Sequence, residues 1–318
     1  MLEILVVEPD YNKKAKKILE SLGHVTEISS GRKNLLKIID RFDILIIRLD
    51  IKVDKEIIEK ARRLKVIGSS TTGLDHIDLN LAEKKGIKVV SLQGEINLLK
   101  NVWATPEHTF ALILSLIRKT PFAFDSIRRY RWSRKNFIGS ELRNKIIGVI
   151  GFGRVGSMVA RIAKGFKMSV LAYDPYITKK KIIKAGVIPS NLKNLFKKSD
   201  IISLHLNLNK KTELLIQAEE FKEMKGSAFF INTSRGKIVN EKALLSALKR
   251  KEIAGAALDV MWNEDVSGIF LKGNPLVNYA KKHHNLIITP HIGGTTRESV
   301  EKTEVFIAEK IKKYFDNY

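Results

Sequence analysis

Short apolar runs and amphipathic stretches take turns along the first part of the chain, up to about Gly94. LEILVV (Leu2–Val7) gives way to KKAKKILESLG, HVTEIS to NLLKIIDRF, DILIIRL to KEIIEKARR and LKVIGSS to LNLAEKKG, before IKVVSL closes the series. The runs are too short for helices and rich in β-branched residues, so they read as strands, and the stretches between them carry apolar residues at helical spacing. Strand and helix alternating in this way predict a parallel sheet covered on both faces.

The pattern then breaks at Glu95–Trp103, which reads as an irregular crossover between domains. A helix is expected to follow, with Thr105 as N-cap and Pro106 in the first helical position, running through HTFALILSLIRK and stopping before Pro121. Its ALILSLI face reads as packed core. Further buried strands are IISLHL, SAFFIN, IAGAALDV and NLIITP, and a closing helix is expected from Thr295 to about Tyr314. That helix is expected to return to the first domain. The expected architecture is therefore α/β with two doubly wound parallel-sheet domains: residues 1–98 with 293–318, interrupted by an inserted domain of residues 99–292.

Between Lys145 and Tyr176 lies the most informative stretch, KIIGVIGFGRVGSMVARIAKGFKMSVLAYDPY. The apolar run Ile146–Ile150 stops at Gly151, Gly153 and Gly156, spaced as G-x-G-x-x-G, and the period then switches to helical, with Val155, Val159, Ile162, Ala163 and Phe166 on one face. Gly151 permits the tight turn, Gly153 lets backbone approach a pyrophosphate, and Gly156 lets the helix pack on the strand. The helix N-terminus offers N–H groups to an anion. A second strand, Met168–Tyr173, delivers Asp174 where a carboxylate accepts hydrogen bonds from ribose hydroxyls, which favours NAD over NADP. Strand, turn, helix, strand and acid in register mark a dinucleotide site. No such turn follows the first strand of the chain, so the first half is not a second unit of the same kind.

Other strand ends carry chemistry. SAFFIN is followed by Thr233, Ser234 and Arg235, GAALDV by Glu264, and NLIITP by His291. Ligands of open parallel sheets lie outside the carboxyl ends of strands, so topology alone brings these residues to the cofactor's side. Hydride delivery to a carbonyl carbon leaves charge on the oxygen, and histidine is suited to donate a proton there, with a carboxylate to orient it. His291 and Glu264 fit those roles, and Arg235 could grip a substrate carboxylate in a two-pronged bond. Together they specify a 2-oxo acid. The plainer alternatives are a turn histidine, a surface glutamate and an Arg235–Asp259 pair. In the first half, Arg48 follows DILII and could hold an anion or form an ordinary surface ion pair. Backbone N–H groups near Thr72 and Gly73, in the loop Ser69–Asp78, could cradle an acid group. Ser234 has no histidine placed as a base, which argues against serine hydrolysis, and no histidine–carboxylate pattern points to a metal.

Composition narrows the classes further. The chain of 318 residues has no cysteine, which excludes disulfides, thiolate metal sites and cysteine nucleophiles. No basic leader precedes LEILVV, and no apolar run has the length of a membrane span, so a cytoplasmic, membrane-free protein is expected. The net charge of +23 raises the question of nucleic acid, but the lysines are scattered in pairs and triplets, as on solvated faces. The denser patch Ile127–Phe137 sets Arg128, Arg129, Arg131 and Arg134 among Tyr130 and Trp132, and reads as an interdomain or subunit contact rather than a polyanion site.

INTSRGKIVNEKALLSALKRKEIAGAALDV, ITPHIGG, GFGRVG with YDP, and TTGLDHIDL resemble the D-isomer-specific 2-hydroxyacid dehydrogenase family, nearest to its phosphoglycerate dehydrogenase-like members. The resemblance covers nearly the whole chain. It implies a Rossmann cofactor domain inserted into a discontinuous flavodoxin-like substrate domain, with Arg235 binding substrate and Glu264 and His291 as the acid pair. Along the NAD site it implies Arg154, Val155, Asp174, Leu206, Thr233, Asp259 and Gly293, with Thr72 from the other domain; Ser234 and Gly294 are included beside them. It also implies a homodimer joined through the cofactor domains. Departures are visible: Ser69 stands where phosphoglycerate dehydrogenases usually carry an arginine, Asp265 replaces a proline after Glu264, and Asn207 replaces another. Glu264 itself argues against formate as substrate. The competing reading is an NAD(H)-sensing, corepressor-like interaction protein built on the same fold.

Overall fold

The computed structural model describes residues 1–8, 10–29, 31–49, 51–265 and 267–316. The chain forms two compact units: Met1–Val102 with Asp265–Ser267 and Thr295–Tyr318, and Trp103–Glu264 with Gly268–Gly294.

In the first unit the order is β1 (Leu2–Val6), α1 (Lys13–Glu20), β2 (Gly23–Glu27), α2 (Arg32–Ile38), β3 (Ile44–Ile47), α3 (Lys55–Lys60), β4 (Val66–Ser69), α4 (Leu79–Lys84), β5 (Lys88–Ser91) and α5 (Ile96–Leu99). All pairings are parallel and the sheet order is β2-β1-β3-β4-β5, a flavodoxin-like arrangement. Successive side chains of a strand point to opposite faces. Leu5, Leu45 and Ile47 accordingly enter one core with Leu35 and Ile57, while Ile4, Ile44 and Ile46 enter another with Leu19 and Ile307. The closing helix, Arg297–Asp316, supplies Ile307, Ala308 and Ile311 to that second core, so the chain's last element completes its first unit. Gly68 makes room for it: a Cβ there would lie 2.7 Å from the side chains of both Ile311 and Ile46. The helix opens at Arg297 rather than Thr295, because Thr296 Oγ1 accepts the Ser299 N–H. The segment expected to be irregular, residues 95–103, contains the single turn α5.

The second unit continues with α6 (Ala104–Ile117), α7 (Thr120–Arg128), β6 (Ile146–Ile150), α8 (Arg154–Gly165), β7 (Ser169–Tyr173), α9 (Lys179–Lys184), β8 (Ile188–Pro189), α10 (Leu192–Lys198), β9 (Ile201–Leu204), α11 (Ala218–Glu223), β10 (Phe229–Asn232), α12 (Glu241–Arg250), β11 (Gly255–Leu258), α13 (Pro275–Ala280) and β12 (Leu286–Ile288). Its 7-stranded parallel sheet has the order β12-β11-β10-β9-β6-β7-β8. This is a Rossmann sheet with an added edge strand, and its order reverses between β6 and β9. β8 has no counterpart among the expected strands; it is only two residues long and carries Pro189, tolerated because the strand is at the edge.

One helix start differs from the expectation. α6 has Trp103 as N-cap without a side-chain bond, which moves Thr105 and Pro106 to its second and third positions. Buried Val102 and Ala104 fix the chain two residues earlier, and proline is accommodated because N–H groups of the first turn have no partner inside the helix. Pro121 lies in the first turn of α7, and the preceding helix ends at Ile117, before it. Among the described residues, no helix is long and apolar enough to cross a membrane.

Candidate functional site

The glycine turn lies at the carboxyl end of β6, at the reversal of the second unit's sheet. Gly151 has φ +92°, and a Cβ on it would lie 2.3 Å from the His205 carbonyl oxygen at the end of β9. At Gly156 a Cβ would lie 1.9 Å from the Gly151 oxygen, so only glycine lets α8 approach the strand. Gly153 differs, since a Cβ there meets nothing within 4 Å. It is the N-cap of α8, has no side-chain capping bond, and leaves that helix end open to an anion. A pyrophosphate fits this cradle: two glycines are demanded by the protein's own packing and the third by space kept clear.

Asp174 follows β7. Its Oδ2 accepts the Phe152 N–H and its Oδ1 the Tyr176 N–H, both at 2.8 Å, so the carboxylate is pinned beside the turn. Each oxygen retains a lone pair for a ribose hydroxyl. At the start of α8, burial lowers the pKa of the half-buried Arg154 guanidinium, and Val155 packs against the core. Leu206 donates its N–H to Ser234 Oγ at 3.1 Å, and that hydroxyl donates to the Leu204 oxygen at 2.6 Å, tying the ends of β9 and β10. Ser234 is thus a buried strut, and Thr233 Oγ1 meets Thr109 Oγ1 at 3.0 Å.

The strongest chemical pair joins the ends of β11 and β12. His291 Nδ1 lies 2.6 Å from Glu264 Oε2. Glu264 Oε1 accepts the Met261 N–H, which folds the carboxylate back over its own loop. An ionised carboxylate only accepts, so Nδ1 carries the proton and Nε2 is the nitrogen turned to a reacting oxygen. Both sides of the pair use left-handed backbone: His291 at φ 53° and Asn263, just before Glu264, at φ 55°. Such conformations are uncommon for non-glycine residues and concentrate at functional sites.

Asp259, also at the end of β11, fixes the turn that carries His291. It accepts hydrogen bonds from Thr289 Oγ1 (2.6 Å), Ile292 N–H (2.9 Å) and Gly293 N–H (2.7 Å), and contacts His108 Nε2 at 3.1 Å. Burial alone would raise its pKa, but these partners, His108 first, hold it below the usual carboxylate range. Gly293 is required by this closeness, since a Cβ would lie 2.8 Å from Asp259 Oδ2, whereas Gly294 faces open space. With its oxygens engaged by these groups, Asp259 forms a hub within the turn instead of a pair with Arg235. The Arg235 guanidinium donates to the Ser234 oxygen at 2.8 Å, and its own carbonyl accepts from Asn232 Nδ2 at 3.0 Å. Arg235, Glu264 and His291 follow β10, β11 and β12, three neighbouring strands.

Two residues of this constellation escaped the sequence reading. His108 falls in the buried stripe of α6 with Ala104, Leu112 and Leu116, and a polar residue in an apolar stripe is the signal that could have found it. His205 follows the buried strand β9, where burial lowers its pKa to about 3 and its Nε2 lies 2.9 Å from Ser203 Oγ, so it stays neutral.

In the first unit, Arg48 proves to be an ion-pair residue, and not a surface one. Its guanidinium pairs with Glu304, whose side chain is 1% exposed, and its N–H donates to Glu8 Oε1 at 2.9 Å. This pairing is the ion-pair alternative that the sequence left open for Arg48. Burial raises the Glu304 pKa against the pull of Arg48, and burial followed by Glu304 raises the phenol of Tyr11. Thr72 is exposed and Gly73 partly so; their loop is shaped by Thr71, whose hydroxyl donates to the Gly73 oxygen at 2.8 Å and meets Ser69 Oγ at 2.8 Å.

A parallel sheet with this strand order and this glycine turn defines a protein of the dinucleotide-binding α/β class. Residues 110–293 match the family model described as D-isomer specific 2-hydroxyacid dehydrogenase, NAD binding domain, and the chain belongs to that family. NAD, the cofactor expected from the turn and Asp174, is the one in that description. The chain is 38% identical over 312 residues to a D-3-phosphoglycerate dehydrogenase of Archaeoglobus fulgidus, covering 98% of this chain and 56% of that protein. It is 40% identical over 316 residues to the protein of the same name from Methanocaldococcus jannaschii, covering 98% of this chain and 57% of the other. The chain therefore spans little more than half the length of these relatives. A crystal structure of D-lactate dehydrogenase from Aquifex aeolicus, complexed with NAD and lactic acid, superposes with a TM-score of 0.83 at 30% identity, covering 99% of this chain and 96% of that one.

Proposed function

We propose that the protein transfers a hydride between nicotinamide and a 2-oxo acid / D-2-hydroxy acid pair. The observation that carries this reading is the 2.6 Å contact of His291 Nδ1 with Glu264 Oε2 in the same unit as the glycine turn. Gly151, Gly153, Gly156 and the α8 N-terminus would hold the pyrophosphate, Asp174 the adenosine ribose, and Leu206, Thr233, Asp259 and Gly293 the remainder of the cofactor site. NADH, when bound, supplies the hydride. His291 gives its Nε2 proton to the substrate oxygen, and Glu264 keeps the ring in that orientation and stabilises its protonated form. Arg235 binds the substrate carboxylate, a task suited to a planar fork of donors. Thr72 and Gly73, in the first unit, are the residues of that unit proposed to offer backbone donors to an acid group.

The relatives' names point to two substrate shapes, phosphorylated and small unphosphorylated 2-hydroxy acids. The pairing of Arg48 with Glu304 and the presence of Ser69 favour an unphosphorylated acid. NADH oxidation across pyruvate, glyoxylate, hydroxypyruvate, phosphohydroxypyruvate and branched 2-oxo acids tests this, with pyruvate-sized acids ranking above phosphohydroxypyruvate. NADH binding without turnover of any acid would instead favour a sensor.

A homodimer through the second unit is part of the proposal. It is supported by large apolar side chains standing in solvent along one segment: Phe124, Ile127, Tyr130, Trp132 and Ile138. Sedimentation should give a dimer mass, and Trp132→Asp should shift it toward the monomer.

A further inference from the structure

The loop that presents Glu264 is tied to the turn that presents Arg235 by groups with no assigned part in the chemistry. Trp262 donates its indole N–H to two carbonyl oxygens, Gly236 at 3.0 Å and Val239 at 2.9 Å, both on the turn that follows Arg235. Its backbone N–H donates to Glu241 Oε1 at 2.7 Å, at the first position of α12. Gly236 lies so close that a Cβ would be 2.2 Å from the Met261 carbonyl carbon and oxygen and 2.7 Å from the Trp262 nitrogen. A further bond, from the Met261 N–H to Glu264 Oε1, lies within the same loop.

We propose that Trp262 and Glu241 are positioning residues for the acid pair, a clasp that holds the Glu264 loop in register with the Arg235 turn. The inference rests on the functional reading above. The need for such a clasp follows from the local backbone. Asn263 is left-handed, Glu264 comes immediately after it, and β11 ends at Leu258, so no ladder hydrogen bond of the sheet reaches the loop. Without Trp262 and Glu241, the bonds that place Glu264 among the described residues are the Met261 N–H of its own loop and His291 Nδ1, the group it has to orient. A displacement of about 1 Å in such a group costs up to about a hundred-fold in rate.

What Glu241 contributes is an acceptor oxygen. Its surroundings work against its charge: burial first, then the nearby Glu264 carboxylate, both raise its pKa, with the Trp262 N–H opposing them. An amide oxygen in the same place should therefore serve equally well, and this separates positioning from electrostatics. Trp262→Phe keeps an aromatic ring but removes the indole donor. Glu241→Ala removes the acceptor, and Glu241→Gln restores it without charge.

The measurement is steady-state reduction of a 2-oxo acid by wild type and the three variants, with NADH affinity from fluorescence titration and melting temperature recorded for each. The clasp predicts kcat lower by about ten- to a hundred-fold in W262F and E241A, NADH Kd within about two-fold of wild type in both, and recovery of most of kcat in E241Q. Turnover within about two-fold of wild type in W262F and E241A would overturn it. So would an E241Q as impaired as E241A, or kcat losses matched by loss of NADH binding. A wild type that turns over no 2-oxo acid contradicts the functional reading itself, an outcome distinct from all of these.

Discussion

His291 and Glu264 are 27 residues apart in sequence, yet His291 Nδ1 and Glu264 Oε2 meet at 2.6 Å across the ends of two adjacent strands. Each strand end delivers one partner, so the pair is a product of sheet order rather than of any local motif. Because the carboxylate holds the ring by Nδ1, Glu264→Gln should leave the histidine in place but weaken its protonated form. We expect kcat for oxo-acid reduction to fall by about a hundred-fold with NADH Kd unchanged, as read by parallel turnover and binding measurements.

The glycine turn allows two methyl additions with opposite outcomes. In Gly156→Ala the new carbon meets the Gly151 oxygen at 1.9 Å, so the variant should be destabilised by about 1–3 kcal/mol and melt several degrees lower. In Gly153→Ala the carbon enters open space, at a φ of −74° that alanine adopts freely. That variant should melt like wild type while binding NADH at least about ten-fold more weakly, because the methyl occupies the pyrophosphate's approach. Calorimetry and fluorescence titration separate the two; equal melting temperatures would contradict the packing argument.

Asp174 is pinned by the Phe152 and Tyr176 N–H groups, so its charge is presented in a fixed place. Asp174→Ala should narrow the preference for NADH over NADPH, since a 2′-phosphate would no longer meet a carboxylate. An unaltered ratio of kcat/KM for the two cofactors would mean that the ribose is read elsewhere.

Arg48→Met leaves Glu304 buried without its cation. The expected loss is about 3 kcal/mol of stability near neutral pH. The sign of the pH dependence follows from Glu304, whose pKa is already raised by burial. A carboxyl with a raised folded-state pKa contributes stability that is present below its unfolded pKa and lost as pH rises through the folded value. Removing Arg48 raises that value further, so the melting-temperature deficit of the variant should shrink as the solution is acidified. A deficit that stays constant with pH would mean that Arg48 acts through packing alone.

Much of both sheets was legible because buried parallel strands are short, nearly uninterrupted apolar runs, and each such run became a strand within a residue or two. β8 was not legible, because a two-residue edge strand has no periodicity. The start of α6 was misplaced because a proline marks the first turn of a helix and not a position within it. Asp174, Arg235, Glu264 and His291 could be singled out because each follows an apolar run abruptly. The partner of Arg48 could not, since Glu304 lies 256 residues away inside an amphipathic helix where a glutamate ordinarily faces water. Trp262 was likewise hidden: its role depends on the carbonyl oxygens of Gly236 and Val239, and backbone acceptors have no signature in the amino-acid sequence.

The most direct test of the central claim compares wild type with His291→Asn in NADH oxidation driven by the 2-oxo acid that wild type turns over fastest, with NADH affinity measured alongside. The account predicts turnover by wild type, a fall of about a hundred- to ten-thousand-fold in kcat for the variant, and an NADH Kd that does not change. Equal turnover by the two proteins would contradict it, because the proton would then reach the substrate oxygen from a group other than His291.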